Sequence, residues 1–259
     1  MLEWIQRGLG QGRITTRYPS RPEPAPPGYH GRIEVLDADD PPSDLLAICP
    51  TGAIAATDQR RLTVDRGRCI LCGECVRRAP ERFAFRAQYE TAARSRAALV
   101  VDEREHTQVE PTRKALGERA RMLRRSIHVR HIDTGSDGSE EWEIQALWNP
   151  YYDIQRLGFF LTAAPRHADI LLVTGGVTGP MRAPLERTWL LMPEPKALVA
   201  VGSDACSGGL ASDGGLVAGG VDRVLDVDVY VPGSPPAPIT IMHGLLLATG
   251  LLNETAVAA

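Results

Sequence analysis

Cys69, Cys72 and Cys75 stand three residues apart, and Cys49 precedes them directly before Pro50. Thiolates so closely spaced suit an iron–sulfur cluster. The bacterial two-cluster run is C-x2-C-x2-C-x3-C-P, in which the last cysteine ligates the other cluster. Here the run closes on Ala79-Pro80, so the proline survives and the cysteine does not. By the same rule Cys49 joins Cys69, Cys72 and Cys75 around one [4Fe–4S] cluster. Counting back from Cys49 at that spacing reaches Asp39, Pro42 and Leu45. With Ala79 these would have made a second cluster, and none is a thiol. The alternatives are a zinc site or buried thiols without metal. Tetrahedral zinc sites usually pair two C-x2-C units, which this run is not.

The elements that must hold these residues read as two domains within 259 residues. Residues 1–30 make an N-terminal helix and a proline-rich docking arm. Leu2, Ile5 and Leu9 give the helix an apolar face, fit for a frayed end or for docking on a membrane subunit or lipid interface. The arm carries Pro19, Pro22, Pro24, Pro26 and Pro27, so it should run extended, wrapping a partner or disordered. Residues 31–110 form a small α+β cluster domain with strands near 33–36, 61–64 and 97–101. Residues 111–125 read as a basic linker helix, either a solvated face or a dock for an acidic partner.

From residue 126 strands and helices alternate. Strands are predicted at 127–132, 159–162, 169–174, 197–201 and 227–231, and helices at 140–148, 150–157, 184–192 and 239–252. Apolar strands alternating with helices imply a doubly wound parallel sheet over 126–259. Its working loops should gather at the carboxyl ends of the strands, at 135–140, 175–180, 202–209 and 233–236.

Composition excludes several classes. A net charge of −3 leaves no nucleic-acid footprint. Four of five cysteines lie in the cluster motif, which points to a reducing compartment rather than a disulfide framework. The opening residues lack the apolar core of a secretory leader, and no apolar run reaches the ~20 residues of a membrane span. No nucleophile elbow, P-loop, zinc-protease helix or G-x-G-x-x-G follows a strand, so no catalytic residues of its own are expected.

Several motifs occur in one order: Asp133-Thr134-Gly135-Ser136, Asn149 to Ile154, Pro165 to Gly175, Gly208-Gly209, and Val229 to Pro236. Together they resemble the small iron–sulfur subunit of energy-converting membrane-bound [NiFe]-hydrogenases, and the 20 kDa-type subunit of respiratory complex I. The resemblance covers about 127–252. The front part is similar to the polyferredoxin subunit of formate hydrogenlyase, so the chain resembles two neighbouring subunits fused. This implies a ferredoxin-like domain followed by a flavodoxin-like α/β domain. It implies a hydrogenase-like or complex I 49 kDa-like large-subunit partner, with membrane-embedded antiporter-like and anchor subunits. It also implies a peripheral place on the cytoplasmic side of the membrane. The family's four ligands for the cluster nearest the catalytic subunit fall on Asp137, Glu140, Asp204 and Ser234, and Cys206 is offset by two residues. The loops are therefore expected either to persist as scaffold or to form an acidic pocket for a cation or protons. The resemblance places the Arg166-His167 turn at a subunit interface; a locally bonded loop is the alternative. The chain would then carry electrons within an oxidoreductase complex, or act as a structural adaptor.

Overall fold

The structure is a computed structural model that describes residues 2–39, 41–103 and 126–252. The expected basic helix at 111–125 lies outside the described residues. The chain opens on α1 (Leu2–Gln11), where Ile5 is 60% exposed and Leu9 79%. The arm that follows forms no helix or strand; rather than running extended throughout as expected, it turns at 18–20 and 27–28, where Arg21 N donates to Arg17 O at 3.2 Å and Tyr29 N to Pro26 O at 3.1 Å. It lies on this chain's own second unit: Thr16 N donates to Tyr151 O at 2.8 Å, and Thr15 Oγ1 to Pro150 O at 3.0 Å. Tyr18 is buried in the large core.

The front unit is built from short pieces. Strands β1 (Arg32–Val35) and β4 (Phe83–Arg86) pair antiparallel. Strands β2 (Ile54–Ala56), β3 (Leu62–Asp65) and β5 (Val100–Val101) form a second antiparallel sheet in that order. Two short helices accompany them: α2 (Ser43–Leu46) lies against β2 and α3 (Glu74–Arg78) against β4. Only residues 100–101 of the expected 97–101 strand are extended. Ala97–Leu99 is a 3-10 turn that drives Leu99 into the neighbouring core. Ile33, Leu62, Val64, Phe83, Leu45 and Ala79 share one apolar cluster. Leu45 and Ala79 are two of the positions where a second set of thiols would have stood, and they are 5% and 4% exposed.

The back unit is a five-stranded sheet of β6 (Ile127–Asp133), β7 (Phe159–Leu161), β8 (Ile170–Thr174), β9 (Ala197–Val201) and β10 (Val229–Val231). The order is β10-β9-β8-β6-β7, every pair parallel. Taken from its first strand this is the flavodoxin-like order 2-1-3-4-5, which reverses between β6 and β8. Both faces are covered. Ile170, Leu172 and Val199 point to the side of α4 (Ser139–Ala146) and α7 (Pro238–Ala248). Leu171, Val173 and Leu198 point to that of α5 (Gly179–Leu191) and α6 (Gly202–Ser207). This alternation explains why β8 and β9 read as unbroken apolar runs.

Three predicted helices differ. Residues 150–157 hold only a 3-10 turn, Ile154–Leu157, because Asn149 Oδ1 accepts from the N–H groups of Tyr151 (2.9 Å) and Tyr152 (3.0 Å) and turns the chain. Helix α5 begins five residues before the expected Pro184, with Pro180 in its first turn and Pro184 inside. Helix α7 stops at Ala248, ahead of Gly250 at φ 64°.

The units are joined by residues 87–99. Ala93 bridges Tyr230 on the sheet's edge strand β10, with bonds of 2.9 and 2.8 Å in the two directions. This covers an edge that would otherwise present unpaired backbone. Arg96 grips Asp65 with two bonds, at 2.7 and 2.5 Å.

Candidate metal centre

The four-thiol stretch is shaped by backbone turns. Leu71 and Gly73 take left-handed conformations, φ 56° and 76°, on either side of Cys72. A Cβ on Gly73 would meet the Phe85 ring at 3.4 Å. The turns direct polar hydrogens to sulfur. Ala53 N donates to Cys49 Sγ at 3.2 Å, and Thr51 Oγ1 lies 3.4 Å from the same sulfur. The Leu71 N–H faces Cys69, and the Val76 N–H faces Cys75. Cys49, Cys69 and Cys75 pack against the front-unit core, and Cys72 is exposed.

The four thiols share one neighbourhood. Burial, opposed by the Leu71 N–H and joined by charge on Cys75, Cys49 and Cys72, pushes the Cys69 thiol up to about 12. Burial also raises Cys75, with Cys72 and Cys49 adding to it. Among the described residues no three His, Cys, Asp or Glu side chains are gathered tightly enough to grip one metal ion. All five cysteines are free thiols.

The loops at the carboxyl ends of the strands do converge. Gly175 passes so close to the loop after β6 that a Cβ would stand 2.6 Å from Ser136 N. Thr134 Oγ1 donates to Gly175 O at 3.0 Å, and Ser203 N to Gly233 O at 2.7 Å. Glu140 is 2% exposed and lies against Gly202, where a Cβ would come 2.7 Å from its Cγ. Asp204 similarly occupies the space that a Gly209 side chain would need. Burial, then the charges of Asp204 and Asp137, push the Glu140 carboxyl up to about 7. Burial also raises Asp204, whereas hydrogen bonds from Ser139 lower Asp137, which is exposed. So Asp137, Glu140 and Asp204 feel one another without forming a single-ion site. Ser234 is exposed, and Cys206 is wholly buried in the apolar layer. Arg166 and His167 lie exposed on a 3-10 turn, Pro165–His167.

Two features are not apparent from sequence spacing. His131 Nε2 lies 3.0 Å from Thr174 Oγ1, which in turn donates to Glu141, a small polar network at the reversal between β6 and β8. Ser203 reaches across to the front unit: its Oγ lies 3.0 Å from Cys69 O. Thr174 and Cys69 lie in motifs already described, but His131, Glu141 and Ser203 do not, and only the fold brings the partners together.

Residues 138–248 match the model of the family described as NADH ubiquinone oxidoreductase, 20 Kd subunit. Formate hydrogenlyase subunit 7 of Escherichia coli (strain K12) is 42% identical over 134 residues, 52% of each chain. The chain thus spans about half the length of that relative. The probable membrane-bound hydrogenase subunit mbhJ of Pyrococcus furiosus is 38% identical over 135 residues, 52% of this chain and 81% of that one. A chain of the membrane-bound sulfane sulfur reductase, an archaeal respiratory membrane complex, aligns at 27% identity over 52% of this chain and 77% of that one, with a TM-score of 0.45. With four-fifths of the Pyrococcus subunit covered at this identity, the chain belongs to the 20 kDa subunit family of NADH ubiquinone oxidoreductase.

Proposed function

We propose that the chain is an iron–sulfur electron-transfer subunit of a membrane-associated complex I-like or formate hydrogenlyase-like oxidoreductase, with one [4Fe–4S] cluster held by Cys49, Cys69, Cys72 and Cys75. The observation that carries this is the four-thiol neighbourhood with N–H and O–H groups turned toward its sulfurs. Such donors stabilise charge on sulfur and tune a cluster's potential. A cubane spreads its thiolates over separate irons, so they need not converge as the ligands of one zinc ion at ~2.3 Å do. A bound cluster would supply one-electron transfer. The protein's part is to supply thiolates, to direct hydrogen bonds to them and to shield them with the apolar front core.

The front unit, read as ferredoxin-like, and the sheet unit are two neighbouring subunit types fused in one chain. The arm and the 87–99 bridge, both lying on the sheet unit, support that reading. The partners are a hydrogenase-like large subunit of the complex I 49 kDa type, with membrane-embedded antiporter-like and anchor subunits. The place is peripheral, on the cytoplasmic side of the membrane. No helix among the described residues is long and apolar enough to cross a membrane.

A specific observation favours a second reading, that of structural adaptor. Glu140 and Asp204 fill space beside Gly202 and Gly209 where the resemblance would put the ligands of a further cluster. With the family's four cysteines replaced by Asp137, Glu140, Asp204 and Ser234, the electron path toward the large subunit is interrupted. A redox titration followed by EPR on the intact complex separates the two. Electron carriage requires a reducible cluster signal that a physiological partner can titrate; a signal that responds to no partner leaves the adaptor.

A further inference from the structure

Ser203 sits in the first turn of α6, directly after β9, and is completely buried. Its Oγ lies 3.0 Å from two carbonyl oxygens, those of Cys69 in the front unit and Gly233 in the loop after β10. A serine hydroxyl has one proton to donate, so both acceptors share it. Its own N–H donates to Gly233 O at 2.7 Å, and its carbonyl accepts from Ser207 Oγ at 2.9 Å. Gly202, just before it, is the residue against which Glu140 packs. One buried side chain thus joins a candidate cluster ligand to the loop bearing Asp204 and the loop bearing Ser234.

The Cys69 end of this link is a constrained turn. Cys69 N donates to Asp65 O at 3.1 Å, and Asp65 is itself held by Arg96 from the connecting segment. Two residues on, Leu71 takes a left-handed conformation, which is strained for a residue with a Cβ. A turn with that strain persists only when its surroundings over-determine it. Ligation at Cys69 and Cys72 would fix the turn from one side, and Ser203 fixes it from the other.

We propose that Ser203 is a positioning residue through which occupancy of the four-thiol site sets the order of the loops following β9 and β10. This rests on the reading that those thiols hold the cluster. Loading the cluster fixes the Cys69 carbonyl, which engages the Ser203 hydroxyl and orders residues 202–209 and 232–236. Those loops form the sheet's carboxyl edge, so a loaded chain holds that edge more tightly than a stripped one.

The test is amide hydrogen exchange on the full chain, reconstituted with iron and sulfide and again after chelation, with iron counted in each sample. In the wild type, cluster removal should speed exchange in 202–209 and 232–236 by roughly fivefold, the size of one lost hydrogen bond. Exchange in α5 at 179–191 should not change. Loaded Ser203→Ala should retain iron yet exchange in those loops as the stripped wild type does. Ser203→Thr, which keeps the hydroxyl, should restore the loaded pattern. Iron present with loop exchange insensitive to its removal would overturn the latch alone. A wild-type chain that takes up no iron would overturn both the latch and the reading beneath it.

Discussion

At the scale of single residues, the cysteines divide by company. Burial pushes the thiols of both Cys69 and Cys206 up to about 12, but Cys69 shares its neighbourhood with Cys49, Cys72 and Cys75, whereas Cys206 is fully buried in the other core with no second thiol acting on it. Thiolate, not thiol, binds metal. Replacing any of Cys49, Cys69, Cys72 and Cys75 by Ser should cost most of the bound iron, and Cys206→Ser should leave it unchanged, as measured by iron per chain. Glu140 gives a pH prediction. Its carboxyl rises from 4.5 to about 7 in the folded chain. A raised folded value means that the stabilisation is full below pH 4.5 and is lost as pH rises through 7. Glu140→Gln should therefore gain on the order of 3 kcal/mol relative to wild type at pH 8 and little at pH 4. Urea melts at the two pH values check it, and equal effects at both would refute a buried, strained carboxyl.

The elements show what was legible in sequence and what was not. The apolar runs of β8 and β9 and the glycine-rich strand ends are local signals, and each has its counterpart in the fold. The helix expected at 150–157 failed because one side chain, Asn149, captures two backbone N–H groups and outweighs the apolar periodicity. The Ser203 contact was invisible because its partner lies 134 residues away. Glycine pattern alone also could not say which glycines carry space for a neighbour. Gly202 does: its φ is 92°, and its missing Cβ leaves room for Glu140. Gly202→Ala should destabilise the fold by roughly 2–4 kcal/mol, combining backbone strain with overpacking. Adding Glu140→Ala should recover part of the loss in a double-mutant cycle. Helix α7 supplies an opposite pH slope. Its His243 is buried, and burial, then Arg94, hold the imidazole down to about 4. A depressed value means that stability is full above the unfolded value near 6.5 and falls as pH drops toward 4. His243→Gln should flatten that acid limb of the stability curve.

At the scale of the whole molecule, the chain is a front unit carrying four of the five cysteines, buttressed against a doubly wound sheet by the arm, the 87–99 bridge and Ser203. The front unit has an apolar core that includes Leu45 and Ala79, two of the positions the ferredoxin spacing would assign to a second set of thiols. In the sheet unit the loops at the carboxyl edge converge, with Glu140 packed against Gly202 and Asp204 against Gly209. The proposed function therefore places one cubane in the front half and none at the sheet edge. Iron and acid-labile sulfide per purified chain test this most directly. The account predicts about four of each, reduced to near zero by Cys69→Ser. About eight of each, or stoichiometric zinc in their place, would contradict it.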